Sequence, residues 1–460
     1  MAETLQTISG TFAEFAGSLT YEQLPAAVKE KAKYAVIDTV GAILFGSATE
    51  EGRAVREAIR GIQPGGEALI WGTRQTASVS LAALANGTAA HAREMDDFGK
   101  ESGHPGAVIV PAALGVGAQF HASGKDVLLS VVLGYEIAER SVEALGGYRA
   151  HTKAGWHSTG TCCTFGAAVA AARLMGLDRE KMTSSIGLAG SYTGGIWAFI
   201  EDGAMSKRLH PGKAAENGIV AAYLAKQGFT GPAALFEAPW GGFLNTYTAG
   251  GQTGKVNPRA MTDGLGDNFR ILRTGFKPHA CCRGIHGSLD AFLHLKNTCN
   301  LNAGDIAQID VITSSHAALQ LGNKDIVSFL DAQMSLPYSL AVALLTGETG
   351  PIQFADRQRQ NPDVLTWCRQ INVIGREDIP FGAPSTVRIR LHSGETYEHS
   401  EPFPLGCAEN PMTAEQLQRK FRELASTALT EAAADRLLEQ LLNMEEIADV
   451  SAIVPLLQGA

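Results

Sequence analysis

Across residues 25–45 the apolar side chains Val28, Ala32, Val36, Val40, Ile43 and Leu44 recur three and four positions apart, and Gly46 follows as a stop. Only a helix with one buried face satisfies that spacing. Similar patterns cover about residues 77–95, 107–120, 126–145, 160–175, 181–197 and 213–227, so the first half is predicted to be helix after helix. The 51 glycines sit mostly beside Ala, Ser and Thr, which suits helices whose axes approach closely rather than a flexible linker.

The texture changes after about residue 265. Residues 306–313 and 371–374 read as short strands, and Val387, Ile389 and Leu391 alternate with Arg388, Arg390 and His392 before a Ser393-Gly394 turn, the pattern of a β-hairpin. Helical stretches at 285–297 and 335–345 lie between these strands. Beyond Pro404 the helical pattern returns, with Thr413 and Gln416 forming a capping box ahead of Leu417, Phe421 and Leu424 on one face. The expected fold is mainly α. A large all-helical domain is built from both chain ends, residues 1–265 and 405–460, and a smaller α+β lid domain, residues 266–404, is inserted between them. No repeat of fixed period interrupts this scheme.

Composition removes several function classes. With 45% hydrophobic and 18% charged residues the chain has ample material for packed cores, which excludes intrinsic disorder. Lys and Arg total 38 against 47 Asp and Glu, with no basic block, so nucleic acid is not an expected partner. Apolar runs such as 127–135 fall well short of the roughly 20 residues a bilayer span needs, so no membrane association is expected. The seven cysteines form no C-x-x-C pair and read as reduced thiols. The opening MAETLQTISG carries Glu3 and lacks a basic segment followed by an apolar one, so a cytoplasmic location is expected. No G-x-G-x-x-G or P-loop supports nucleotide binding.

Three polar clusters interrupt the small, apolar sequence. The first runs from His91 through Glu94, Asp96 and Asp97 to Ser102-Gly-His104-Pro105-Gly106. On a helix, Glu94 and Asp97 would share a face, and His104 would precede a helix start where unpaired N–H groups attract anions. An alternative makes the acidic residues a helix end and His104 a cap. The second cluster joins Trp156-His157-Ser158-Thr159 to Lys207-Arg208-Leu209-His210, each set ahead of a Gly/Ala-rich helix that would receive a carboxylate. A solvated basic turn and a core histidine are the alternatives there. The third is Lys277-Pro-His279-Ala-Cys281-Cys282-Arg283, with His286 one helical turn beyond Arg283. Cys281 lacks an evident base and reads as core rather than nucleophile. A metal on His104, His157 and His210 lacks ligand spacing, so no metal is expected. What the clusters share is cations that fix carboxylates beside histidines that exchange protons near neutral pH. That combination suits proton abstraction beside a carboxylate.

These stretches resemble the MmgE/PrpD family, whose members include 2-methylcitrate dehydratases, cis-aconitate decarboxylases and an iminodisuccinate epimerase. The likeness rests on Asp38-Thr-Val-Gly41, His91 to Asp97 with His104-Pro105, Gly155-Trp-His157 with Thr159-Gly160, Met205-Ser-Lys207-Arg-Leu-His210-Pro-Gly212, Lys277 to His286, and Ser335-Leu-Pro-Tyr338, in order along nearly the whole chain. The resemblance implies a homodimer and a cofactor-free site between domains for a di- or tricarboxylate. It implies that Glu94, Asp97, His104, His157, Lys207 and Lys277 line that site, with Arg283, His286 and Tyr338 nearby.

The expected catalytic set is His157 as leading acid/base, His104 as second proton-transfer group, Lys207 and Asp97. Glu94, Lys277, Arg283, His286, Tyr338, Arg208 and His210 are expected to bind substrate. Asp38 reads as structural, because it lies within an amphipathic helix. The expected activity is a lyase, with a 2-methylcitrate-dehydratase-like hydro-lyase favoured. Epimerisation or decarboxylation would use the same groups, and a non-catalytic carboxylate binder is the alternative of another class. Two departures bear on substrate: Phe98 follows Asp97 where the family commonly has Thr, and Trp197 and Phe199 stand where small polar residues are usual.

Overall fold

The computed structural model describes residues 6–380 and 382–459. Glu3, on which the expectation about the chain's start turned, lies outside them. The fold is mainly α with small sheets, and the chain divides into two compact units. The larger comprises Met1–Ala92, Asp96–Gly275 and Thr413–Ala460, and the smaller Arg93–Met95 and Phe276–Met412. Among the described residues no helix is long and apolar enough to cross a membrane.

In the larger unit the helices Val79–Ala90, Gly106–Gln119, Gly124–Ala144, Cys163–Leu174 and Ser206–Lys226 pack on one another. Glycine permits the closest crossings. A Cβ on Gly87 would sit 2.7 Å from the Gly212 Cα, and one on Gly166 would sit 2.7 Å from the Gly134 carbonyl oxygen, so a larger residue would force these axes apart. The helix Ala26–Ser47 packs against Ala414–Ala425, near the other end of the chain. There the buried Asp38 carboxylate accepts from Lys420 Nζ at 2.5 Å. Thr413 caps the second helix through the box with Gln416, and Leu417, Phe421 and Leu424 are buried. A two-stranded antiparallel ribbon that the sequence pattern did not indicate, β1 (Ala68–Leu69) and β2 (Thr76–Ala77), lies ahead of Val79. Two-residue strands are too short to show an alternation.

The smaller unit is built on a four-stranded sheet of β3 (Ile306–Ser314), β4 (Asn372–Arg376), β5 (Thr386–Leu391) and β6 (Thr396–Ser400), in the order β4-β3-β5-β6. Strands β3 and β4 run parallel, with Asp310 opposite Asn372, whereas β5 pairs antiparallel with β3 and with β6. Ile309, Val311, Val387 and Ile389 are all buried, the half-buried alternation expected of strands covered on one face. The hairpin between β5 and β6 turns at Gly394, whose φ of +95° few other residues adopt. The helix Arg283–Thr298 packs on β5, β6 and the helix Leu336–Thr346.

Candidate functional site

The first cluster is not the continuous helix its period suggested. The helix Val79–Ala90 ends four residues before Glu94, which takes a left-handed backbone with φ +56°, so Glu94 and Asp97 do not share a helical face. The turn is shaped by side chains that bind within it. His91 Nδ1 lies 2.7 Å from Asp96 Oδ2, and His104 Nδ1 lies 2.8 Å from the Asp97 carbonyl oxygen and 3.3 Å from Asp96 Oδ2. Asp97 itself is turned inward. Its carboxyl accepts the Tyr135 hydroxyl at 2.6 Å and the Gly106 N–H at 3.0 Å, which places it as a bracket behind His104.

The second cluster also starts earlier than its sequence pattern implies. Lys207, Arg208 and His210 lie within the first turns of the helix Ser206–Lys226, not ahead of it. Conversely the helix expected over 181–197 stops at Ala189, and a loop with Gly195 at φ +127° leads to Trp197 and Phe199. Trp156 bridges to Ile196, the His157 N–H donates to the Gly195 carbonyl at 3.0 Å, and the Trp197 indole donates to the Trp156 carbonyl at 3.0 Å. This lays the Trp197 and Phe199 rings edge-on to His157, with centroids 5.4 and 5.9 Å away. His157 Nδ1 and His210 Nδ1 are 2.9 Å apart, so one donates to the other. Nε2 of His157 is then the nitrogen not engaged by His210. Arg208 donates to the His91 carbonyl at 3.2 Å.

The electrostatics divide this region sharply. Burial pulls His157 well below its ordinary value, with the charges of His91, His210 and Lys207 adding to the effect. Burial likewise lowers His91 to about 3 and His210 to about 4. All three rings are therefore neutral near pH 7. For Asp96 burial acts upward, but His91 and His104, by charge and hydrogen bond, hold the carboxyl well below the usual range. Asp97 goes the other way, raised by burial that the Tyr135 bond only partly offsets. Of two adjacent aspartates, the surroundings pull one carboxyl down and push the other up.

In the smaller unit Lys277 Nζ donates to Glu94 Oε2 at 2.6 Å, both groups buried. His279 meets Thr349 at 2.5 Å and Asp290 at 2.8 Å. His286 is buried, with Nε2 3.3 Å from the Cys281 carbonyl, and burial keeps its imidazole neutral. Arg283 is exposed at the start of its helix. Tyr338 is buried and its hydroxyl donates to the Gln353 carbonyl at 2.7 Å, so that oxygen serves the packing around it. The Cys281 thiol is pushed well up by burial, the opposite of what a nucleophile needs.

Two members of the histidine cluster, His91 and Asp96, were absent from the site residues expected from sequence. Both stand in the first polar cluster, but a His and an Asp five positions apart fall on different faces in a helical reading, so their contact was not legible. With His104 they bring three ligand atoms within 4.8 Å of one another. Each imidazole Nδ1 faces an oxygen acceptor, however, so these nitrogens carry protons and the group is a hydrogen-bonded His-Asp-His set.

The family model for the MmgE/PrpD N-terminal domain matches residues 10–254, and that for the MmgE/PrpD C-terminal domain matches 279–446. Among curated relatives, a cis-aconitate decarboxylase of Aspergillus terreus is 26% identical over 98% of this chain and 96% of its own length. The cis-aconitate decarboxylase-like protein oryM of Aspergillus oryzae is 29% identical over 95% of this chain and 94% of its own. Human cis-aconitate decarboxylase is 26% identical over 99% and 95%.

Proposed function

The chain belongs to the MmgE/PrpD family, and from that premise we propose that it is a lyase that decarboxylates a small unsaturated tricarboxylate of the cis-aconitate type. The observation that carries this reading is the cluster of neutral imidazoles around one ionised aspartate, with Lys207 close enough for its charge to act on His91, His157 and His210. The names of the relatives direct the choice toward decarboxylation and away from the hydro-lyase favoured on sequence.

The chemistry follows from charge. Lys207 and Arg208 hold substrate carboxylates, whereas the Lys277 ammonium is taken up by Glu94 within its own unit. A trianion arriving beside His157 raises the basicity that burial had lowered, so the ring takes up a proton on binding. The carbon–carbon bond to one carboxylate breaks and CO2 leaves. The electron pair shifts across the adjacent double bond, and the far carbon takes the proton from His157, which returns to neutral. Lys207 offsets the negative charge while it is delocalised. His104, held by Asp96 and Asp97, is the second proton-transfer group.

Dehydration is the second reading, favoured by the presence of two separate imidazoles, His104 and His157, that could serve as acid and base on one substrate. Purified protein incubated with cis-aconitate should release CO2 and give a product one carboxylate smaller by NMR. Conversion of 2-methylcitrate to an alkene without CO2 would establish the second reading instead. Tight binding of either acid with no turnover would sink both and leave a carboxylate-binding protein.

A further inference from the structure

The helix Gly124–Ala144 presents Tyr135 and Glu139 one turn apart on one face, and both reach the segment that carries His104. Tyr135 holds Asp97 at one end, as described. At the other, Glu139 is fully buried and accepts three donors from the loop: the Glu101 N–H at 3.0 Å, the Ser102 N–H at 3.1 Å and the Ser102 hydroxyl. None of these partners is a cation, and the reaction proposed above gives this carboxyl no task.

The loop is fitted around that carboxyl. Its ends close through the Gly99 N–H to the Gly103 carbonyl at 2.8 Å, and Cys163 Sγ donates to the Ser102 carbonyl at 3.4 Å. A Cβ on Gly99 would lie 1.8 Å from Glu139 Oε1. Gly103 has φ +83°, and a Cβ there would lie 2.5 Å from Thr159 Oγ1. The next residue is His104, whose N–H donates to that same Thr159 hydroxyl at 3.2 Å. Wherever Glu139 holds Glu101 and Ser102, the His104 imidazole is held with them.

We propose that Glu139 is a positioning residue for His104, its buried carboxyl clamping the loop 99–103 from which His104 leads on. The inference rests on the proton-transfer role proposed for His104. The two carboxyl oxygens together take all three donors, which an amide in their place could not do, since one of its two heads only donates. Burial raises Glu139 to about 7, against the opposing pull of the Ser102 hydroxyl and the two backbone N–H groups, and the Glu101 carboxylate adds to the rise. The titratable groups facing it from the neighbouring segment are Cys162 and Cys163, whose thiols burial pushes to about 12 and well above the ordinary value, so both stay neutral.

The test pairs steady-state turnover with amide hydrogen exchange at Glu101 and Ser102 in the full chain. Glu139→Gln should lower kcat roughly 10- to 100-fold, the cost of a misplaced catalytic group, with KM within about threefold of wild type, and reduce the protection of both amides. Ser102→Ala, which removes one of the three donors, should give a smaller loss in both readouts. The proposal is overturned if Glu139→Gln turns over like wild type or leaves the protection of both amides unchanged. A His104→Ala variant with undiminished turnover would defeat the role assigned to His104, and with it the catalytic meaning of the clamp, while the exchange data would still report on the loop itself.

Discussion

In the larger unit His91 and His104 meet one ionised carboxylate, Asp96, and the paired rings of His157 and His210 lie beside His91. In the smaller unit Lys277 has Glu94 at 2.6 Å and His279 has Asp290 at 2.8 Å. The residue types are the same, but the bookkeeping of charge differs. Matched pairs satisfy one another and hold the structure around them, provided both partners stay. Rings stripped of water without an anion for each, as His91, His157 and His210 are, stay neutral, and their protonation can change when a charged substrate arrives. The contrast teaches that function is to be sought where charge is left incomplete.

The largest expected effect probes the incomplete side. His157→Ala should cut kcat by roughly 100- to 10,000-fold, and turnover within about threefold of wild type would erase the distinction between the two regions. On the matched side, Lys277→Met leaves the Glu94 carboxylate buried without its ammonium and should cost about 3–5 kcal/mol in denaturant unfolding. Adding Glu94→Gln to that variant should recover most of the loss, and failure to do so would mean that the pair is not what stabilises this unit.

Glu139 supplies a stability test whose sign is fixed. Its value is raised on folding to about 7, so its stabilising contribution is complete below the unfolded value near 4.5 and is lost as pH rises through about 7. The unfolding free energy of wild type relative to Glu139→Gln should therefore fall by up to about 3 kcal/mol between pH 4.5 and 7.5 and then level off. A flat difference would show that the carboxyl is not held in that environment. The smallest change is Thr413→Ala, which removes the cap of the helix Ala414–Ala425. It should cost about 1 kcal/mol with kcat unchanged, and altered kinetics would mean that the clusters are coupled to distant packing.

Much of the architecture was legible along the chain. The helix near residues 25–45, the Thr413–Gln416 cap and the Ser393-Gly394 hairpin depend on local spacing and local hydrogen bonds, which sequence carries directly. The clusters were legible as groups of residues but not as geometry. The apolar period through 77–95 overran the true helix end at Ala90, because the His91–Asp96 bond and the left-handed Glu94 follow from side-chain chemistry that a hydrophobic period does not encode. The helix carrying Lys207 was placed too late, since Pro211 reads as a start signal although the first turns precede it.

By itself the sequence determined the mainly helical fold, the short strands with their hairpin, the family and the neighbourhood of the chemistry, all of which arise from periodicity, capping and motif order. Only the tertiary structure decided which groups are charged. Asp96 and Asp97 are adjacent and chemically identical, yet two imidazoles hold one carboxyl low while burial beside Tyr135 pushes the other up. Protonation is set by burial and by partners from distant parts of the chain, and those are properties of packing rather than of sequence neighbours.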